Sequence, residues 1–123
     1  MTTPEVSSIR DADRIIGLLE GNGIRKNDLI INRLRLDLVK RGDMMSVEDV
    51  TEILAVELLG VIPDDEHVVV ATNQGEAVIG QDSLAGTAYK NICLRLQGEN
   101  IPIPDFGQNE TFFSKISHWF RKN

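Results

Sequence analysis

Leu29-Ile30-Ile31-Asn32-Arg33 and, further on, Leu58-Leu59-Gly60-Val61-Ile62-Pro63-Asp64-Asp65 are the stretches from which the fold of this chain is read. Each opens with a short continuous apolar run, without the polar–apolar alternation of a half-exposed strand. That pattern marks a strand covered on both faces, as in parallel sheets. Each run stops abruptly at polar residues. Between them, Ser46-Val47-Glu48-Asp49 reads as a capping box, with Ser46 at the N-cap and Asp49 at N3. It opens a helix that carries Val47, Val50, Ile53 and Leu54 on one side. Strand, helix, strand is the unit of a parallel α/β sheet. In such sheets ligands bind outside the carboxyl ends of the strands, which here are Asn32-Arg33 and Pro63-Asp64-Asp65.

Upstream, Thr3-Pro4-Glu5 reads as a helix start, with Thr3 at the N-cap and Pro4 at N1. Val6, Ile9, Ile15, Ile16 and Leu19 then give an apolar stripe to about Glu20, ended by Gly21-Asn22-Gly23. Residues 33–45 are irregular or partly helical and basic. Val68-Val69-Val70-Ala71 fits a third strand or a short helix, and the residues alone leave both open. Asp82 is expected to cap a last body helix, Ser83 to about Leu96, with Leu84, Ala88, Ile92 and Leu96 inward and Gly98 at its end. The expected organisation is a partial α/β domain over 1–100, a Pro-containing linker over 101–110 and an amphipathic helix over 111–123. With only two secure strands, and a helix first, the fold reads as half of something larger.

Five of the six aromatic residues, Phe106, Phe112, Phe113, Trp119 and Phe120, fall at the C-terminal end; Tyr89 is the sixth. Phe112, Phe113, Ile116, Trp119 and Phe120 share one helical face, and Lys115, Arg121 and Lys122 lie off it or flank it. Such a helix can lie in a membrane interface or dock on a partner. The net charge of −6 is uneven: residues 111–123 carry three cations and no acid, while the body is strongly acidic. An acidic body argues against nucleic acid as the main partner. The single cysteine, Cys93, allows no internal disulfide and suits a reducing compartment. The N-terminus lacks the basic and apolar regions of a secretory signal, and no apolar run has the length of a membrane span. His67 and His118 have no metal-ligand spacing to each other or to Cys93, and no metal site is expected.

Several separate blocks resemble one family in order and spacing. They are Thr3-Pro4-Glu5-Val6-Ser7-Ser8-Ile9-Arg10-Asp11-Ala12-Asp13-Arg14, Ile31-Asn32-Arg33, Arg41-Gly42-Asp43-Met44-Met45-Ser46, Gly60-Val61-Ile62-Pro63-Asp64-Asp65 and Asn73-Gln74-Gly75-Glu76. With the amphipathic tail they resemble the C-terminal half of the MinD family, septum-site-determining ATPases of the deviant Walker A class. The resemblance implies the second half of a P-loop-type parallel sheet. It also implies a membrane-associated ATPase that recruits a division inhibitor, with ATP and magnesium as cofactors. The family's phosphate loop ends in Gly-Lys-Ser/Thr, and none of the ten glycines here precedes a lysine. The 123 residues are therefore expected not to bind or hydrolyse ATP alone. A truncated reading, a split-gene half and a natural short product all fit that expectation.

The resemblance also gives roles to the strand ends. Asn32 would read an adenine edge with Arg33 beside it, Pro63 would press on the base and Asp65 would bond the base or sugar, with Asp64 counted in the same nucleotide site. From the residues alone, Asn32 reads first as a helix or turn cap, an order that the resemblance reverses, and Pro63-Asp64-Asp65 reads as a turn after a strand. Glu5, Ser7, Asp11 and Asp13 would mark the edge facing a second copy and MinC-like and MinE-like partners; the plain alternative is a solvated acidic helix start. Phe112, Phe113, Lys115, Ile116, Trp119, Phe120, Arg121 and Lys122 would bind an anionic membrane. The alternative is a helix docked on the body. The resemblance implies a cytoplasmic or plastid-stromal protein, peripheral on the inner membrane surface. A stand-alone membrane- or partner-binding module, a half-enzyme completed by a separate N-terminal half, and a non-functional remnant are the rival readings.

Overall fold

A computed structural model of the chain describes residues 1–80 and 82–104. The elements run α1 (Val6–Gly21), β1 (Asp28–Leu34), α2 (Leu36–Arg41), α3 (Val47–Leu54), β2 (Glu57–Pro63), α4 (Glu66–Asn73), a 3-10 turn at Val78–Gly80 and α5 (Leu84–Leu96). β1 and β2 pair in parallel, with Leu29 opposite Leu58, Ile31 opposite Val61 and Leu34 opposite Pro63. The two apolar runs are thus adjacent parallel strands, and both extend beyond the runs that marked them.

Helices cover both faces of this sheet. On one, Leu29, Ile31, Leu34 and Val61 pack with Ile9 of α1 and with Val47, Val50 and Leu54 of α3. On the other, Ile62 packs with Ala85 and Ile92 of α5, with Ile30 and Leu59 against them. Successive β residues point to opposite faces, so Ile30 and Ile31 serve different cores. This is why the runs do not alternate. Gly60 permits the second contact: a Cβ there would overlap Cγ1 and Cδ1 of Ile92.

Ser46 caps α3 as its sequence predicts, accepting from the Asp49 amide at 3.1 Å. Other boundaries differ. α1 begins at Val6 with Glu5 as N-cap, not at Thr3. The chain before it belongs to the sheet: the Thr2 amide donates to Ile30 O at 2.9 Å, and the Asn32 amide donates to Thr2 O at 2.7 Å. Thr2 therefore forms a parallel bridge to Ile31, and a strand position does precede α1. Thr3 instead donates from Oγ1 to Ser8 Oγ. Along α1, Ile9 is buried while Val6 and Ile15 are more than half exposed.

Val68–Ala71 lies in α4, a helix, because Asp65 supplies its N-cap. α5 is capped by Ser83, not Asp82; Ser83 Oγ accepts from the Gly86 amide at 3.0 Å. Ala88 and Ile92 face the sheet as expected, but Ala85 rather than Leu84 joins them, and Leu84 and Leu96 are 71% and 67% exposed. Beyond α5, the Arg95 guanidinium donates to Ile101 O, Pro102 O and Leu59 O at 2.8, 3.0 and 3.0 Å. The first linker residues are thereby tied to β2. Residues 105–110 of the linker and the expected helix 111–123 lie outside the described residues.

Candidate functional site at the carboxyl ends of the strands

Parallel pairing brings Asn32-Arg33 and Pro63-Asp64-Asp65 to the same edge of the sheet. Between Ile31 and Leu34 the register with β2 breaks. The cause is local: Arg33 adopts a left-handed backbone, φ 59°, unusual for a residue with a Cβ. Asn32 Oδ1 accepts from the Arg33 amide at 2.9 Å and supports this kink. Asn32 is thus a turn-maker through its side-chain oxygen. Its carboxamide nitrogen has no hydrogen bond among the described residues and can face a ligand as a donor.

The two strand ends are joined directly. The Asp64 amide donates to Leu34 O at 2.8 Å, and Arg33 Nε lies 3.9 Å from Asp64 Oδ1. With side chains 69% and 40% exposed, this ion pair contributes about 0–1 kcal/mol at most. Its use is to place a cation and a carboxylate side by side on an open rim. Pro63, half-buried, stands opposite Leu34 behind them.

Asp65 differs. Its side chain is 7% exposed, and both oxygens are engaged. Oδ1 accepts from the His67 amide at 3.0 Å and lies 2.7 Å from His67 Nδ1, while Oδ2 accepts from the Ala85 amide at 3.0 Å. Those bonds favour the charged form, the Ala85 and His67 amides first, and lower its pKa from 3.8 to about 2. The same contact raises the His67 pKa above 6.5. One carboxylate therefore fastens the starts of α4 and α5 to the end of β2. The sequence signal was present, since an Asp stands just before an apolar helical run.

The helical edge lies beside this rim. Glu5, Ser7, Asp11 and Asp13 are all exposed. Ser7 and Asp11 are one turn apart and share a face, whereas Asp13 lies around the helix from them. Asp11 and Asn32 line one hollow of about 330 Å³ with Thr2, Thr3 and Ser8. Glu5 borders another, of about 460 Å³, with Met44, Met45 and Asp49. Phe112, Phe113, Lys115, Ile116, Trp119, Phe120, Arg121 and Lys122 lie outside the described residues. Among the described residues no cluster of His, Cys, Asp and Glu could hold a metal ion, and no helix is long and apolar enough to cross a membrane. Cys93 is exposed.

Parallel strands covered on both faces, with turns gathered at their carboxyl ends, define part of a doubly wound α/β protein. Comparison with known proteins gives the closer assignment, although no family model matches the chain. The septum site-determining protein MinD of Synechocystis is 49% identical over 119 residues, covering 94% of this chain and 45% of that protein. MinD of Bacillus subtilis is 42% identical over 123 residues, covering 98% of this chain and 46% of that protein. A MinC:MinD cell division protein complex from Aquifex aeolicus matches at 46% identity with a TM-score of 0.81, over 86% of this chain and 44% of that one. In sequence and in fold, the chain is similar to the C-terminal part of the MinD proteins. It spans somewhat less than half the length of the curated relatives it matches.

Proposed function

We propose that the chain contributes the base-facing rim and the membrane anchor of a MinD-type septum-site-determining ATPase. The carrying observation is that one sheet edge unites Asn32-Arg33 with Pro63-Asp64, in a fold matching MinD at a TM-score of 0.81. On this reading Asn32 Nδ2 donates to an adenine edge and Arg33 and Asp64 border the base or sugar. Pro63 would close against the ring face. Asp65 orders the rim from beneath, since its oxygens are held by backbone amides.

ATP and magnesium belong to the complete family site. Within these 123 residues no Gly-Lys-Ser/Thr loop exists to cradle phosphates, so the rim by itself supplies base contacts without phosphate contacts. The Aquifex relative was solved with MinC, which supports a MinC-like inhibitor as partner; its proposed place is the α1 edge, at Glu5, Ser7, Asp11 and Asp13. A second copy and a MinE-like protein are the other proposed partners there.

The tail is proposed to hold the protein peripherally on the anionic inner surface of a membrane. Each buried large apolar side chain contributes about 1.5–3 kcal/mol at most. Each cation adds about 1 kcal/mol near anionic lipid. Ordering a residue costs about 1–2 kcal/mol, so one tail binds reversibly and two tails together bind far better.

The test is reconstitution. The chain alone is expected to hydrolyse no ATP; co-refolded with the N-terminal half of Synechocystis MinD it is expected to recover hydrolysis. Asn32→Ala should then raise KM for ATP about 5–20-fold, the loss of roughly one hydrogen bond to a buried partner. Hydrolysis by the chain alone, or an unchanged KM in the variant, contradicts the reading.

A further inference from the structure

Beside the outer edge of β2 lies a hollow of about 220 Å³, bordered by Leu36, Val61, Leu84, Ala88, Arg95 and Pro104. An apolar cavity of about 150 Å³ already admits benzene, so this one has room for a phenyl ring. Leu84 on its rim is 71% exposed, although it stands at the start of a helix whose next residue, Ala85, is fully buried. The edge of β2 at this point has no strand partner among the described residues. Such an edge is ordinarily covered or otherwise blunted.

The chain itself is led to this hollow. Arg95 grips Ile101 O and Pro102 O while also holding Leu59 O of β2, and Ile103 packs on the core beneath α1 and α3. Pro104 then stands on the lip. Phe106 follows two residues later, at most about 7 Å of extended chain. In the sequence it is also the one C-terminal aromatic that falls outside the expected helix 111–123, so the membrane reading gives it no role.

We propose that Phe106 seats in this hollow in cis, covering Leu84 and the free edge of β2. The anchor would then leave the body from a fixed point beside the strand ends. The docking does not depend on the membrane reading, because it is formed by the chain in free solution.

Amide hydrogen exchange of the full chain without lipid tests it. Ala85, Gly86 and Thr87 are the reporters, since each amide is hydrogen-bonded at the start of α5. Phe106→Ala should speed their exchange roughly tenfold or more, in proportion to a lost aromatic burial. Phe106→Leu should stay within about threefold, because an apolar side chain of similar reach still fills the site. Protection that is the same at low and high protein concentration supports seating in cis; protection lost on dilution assigns the hollow to a second copy and overturns the proposal. Equal exchange in Phe106→Ala and the unaltered chain also overturns it, as does an effect seen only with anionic vesicles.

Discussion

At the scale of single residues, Asp65 concentrates more of the structure than any neighbour on the rim. Asp65→Asn keeps the shape but gives up a charged acceptor to two backbone amides, and should cost about 1–3 kcal/mol in urea unfolding. The pH dependence follows from its lowered pKa. A carboxylate at about 2 in the folded state and 3.8 when unfolded stabilises fully above 3.8, and that stability is lost as pH falls toward about 2. The unaltered chain should therefore lose stability across that window more steeply than Asp65→Asn. His67 has the opposite sign: its raised pKa stabilises below 6.5 and fades as pH rises through the folded value. An NMR titration should find the His67 pKa above 6.5, returning toward it in Asp65→Asn. The sequence pointed to Asp65 for a ligand. It could not reveal that Ala85, twenty residues away, donates to Oδ2, because that bond exists only once α5 is packed.

Elements were legible where their signal was local. The two apolar runs predicted strands covered on both faces, and Ser46 predicted its helix, since both patterns arise from neighbours along the chain. What tertiary contact decides was not legible. Val68–Ala71 has strand propensity, yet the Asp65 cap at its start and the packing of α4 on the 3-10 turn accompany a helix there. Thr3 looked like a cap until Thr2 was taken into the sheet by Ile30 and Asn32. Leu84 looked inward because it shares the four-residue spacing of Ala88 and Ile92, which do pack on the sheet; at the first turn Ala85 takes the inward place instead. Gly60 tests the packing of α5 on β2. Gly60→Ala should destabilise by about 1–3 kcal/mol, because Ile92, 4% exposed, has nowhere to withdraw. Ser46→Ala should cost about 1 kcal/mol through the lost cap of α3. Thermal unfolding of both variants measures these losses, and a Gly60→Ala chain as stable as the original would contradict the close approach described.

At the scale of the molecule, the acidic body and the cationic, aromatic C-terminus divide the work that the MinD relationship suggests. On the proposed function the body would hold the rim where a base sits, and the tail would supply a reversible attachment whose strength depends on how many copies act together. The nucleotide side depends on groups outside these residues, so the membrane side is the more direct test of the chain as it stands. Co-sedimentation of the full chain with vesicles measures it, comparing phosphatidylglycerol-rich with purely zwitterionic lipid at low and high salt. Binding to the anionic vesicles that weakens with salt is expected, with a loss of roughly tenfold or more when Phe112 and Trp119 are both changed to Glu. Equal binding to both lipids, or anionic binding that survives the double substitution, would contradict a membrane anchor in this tail.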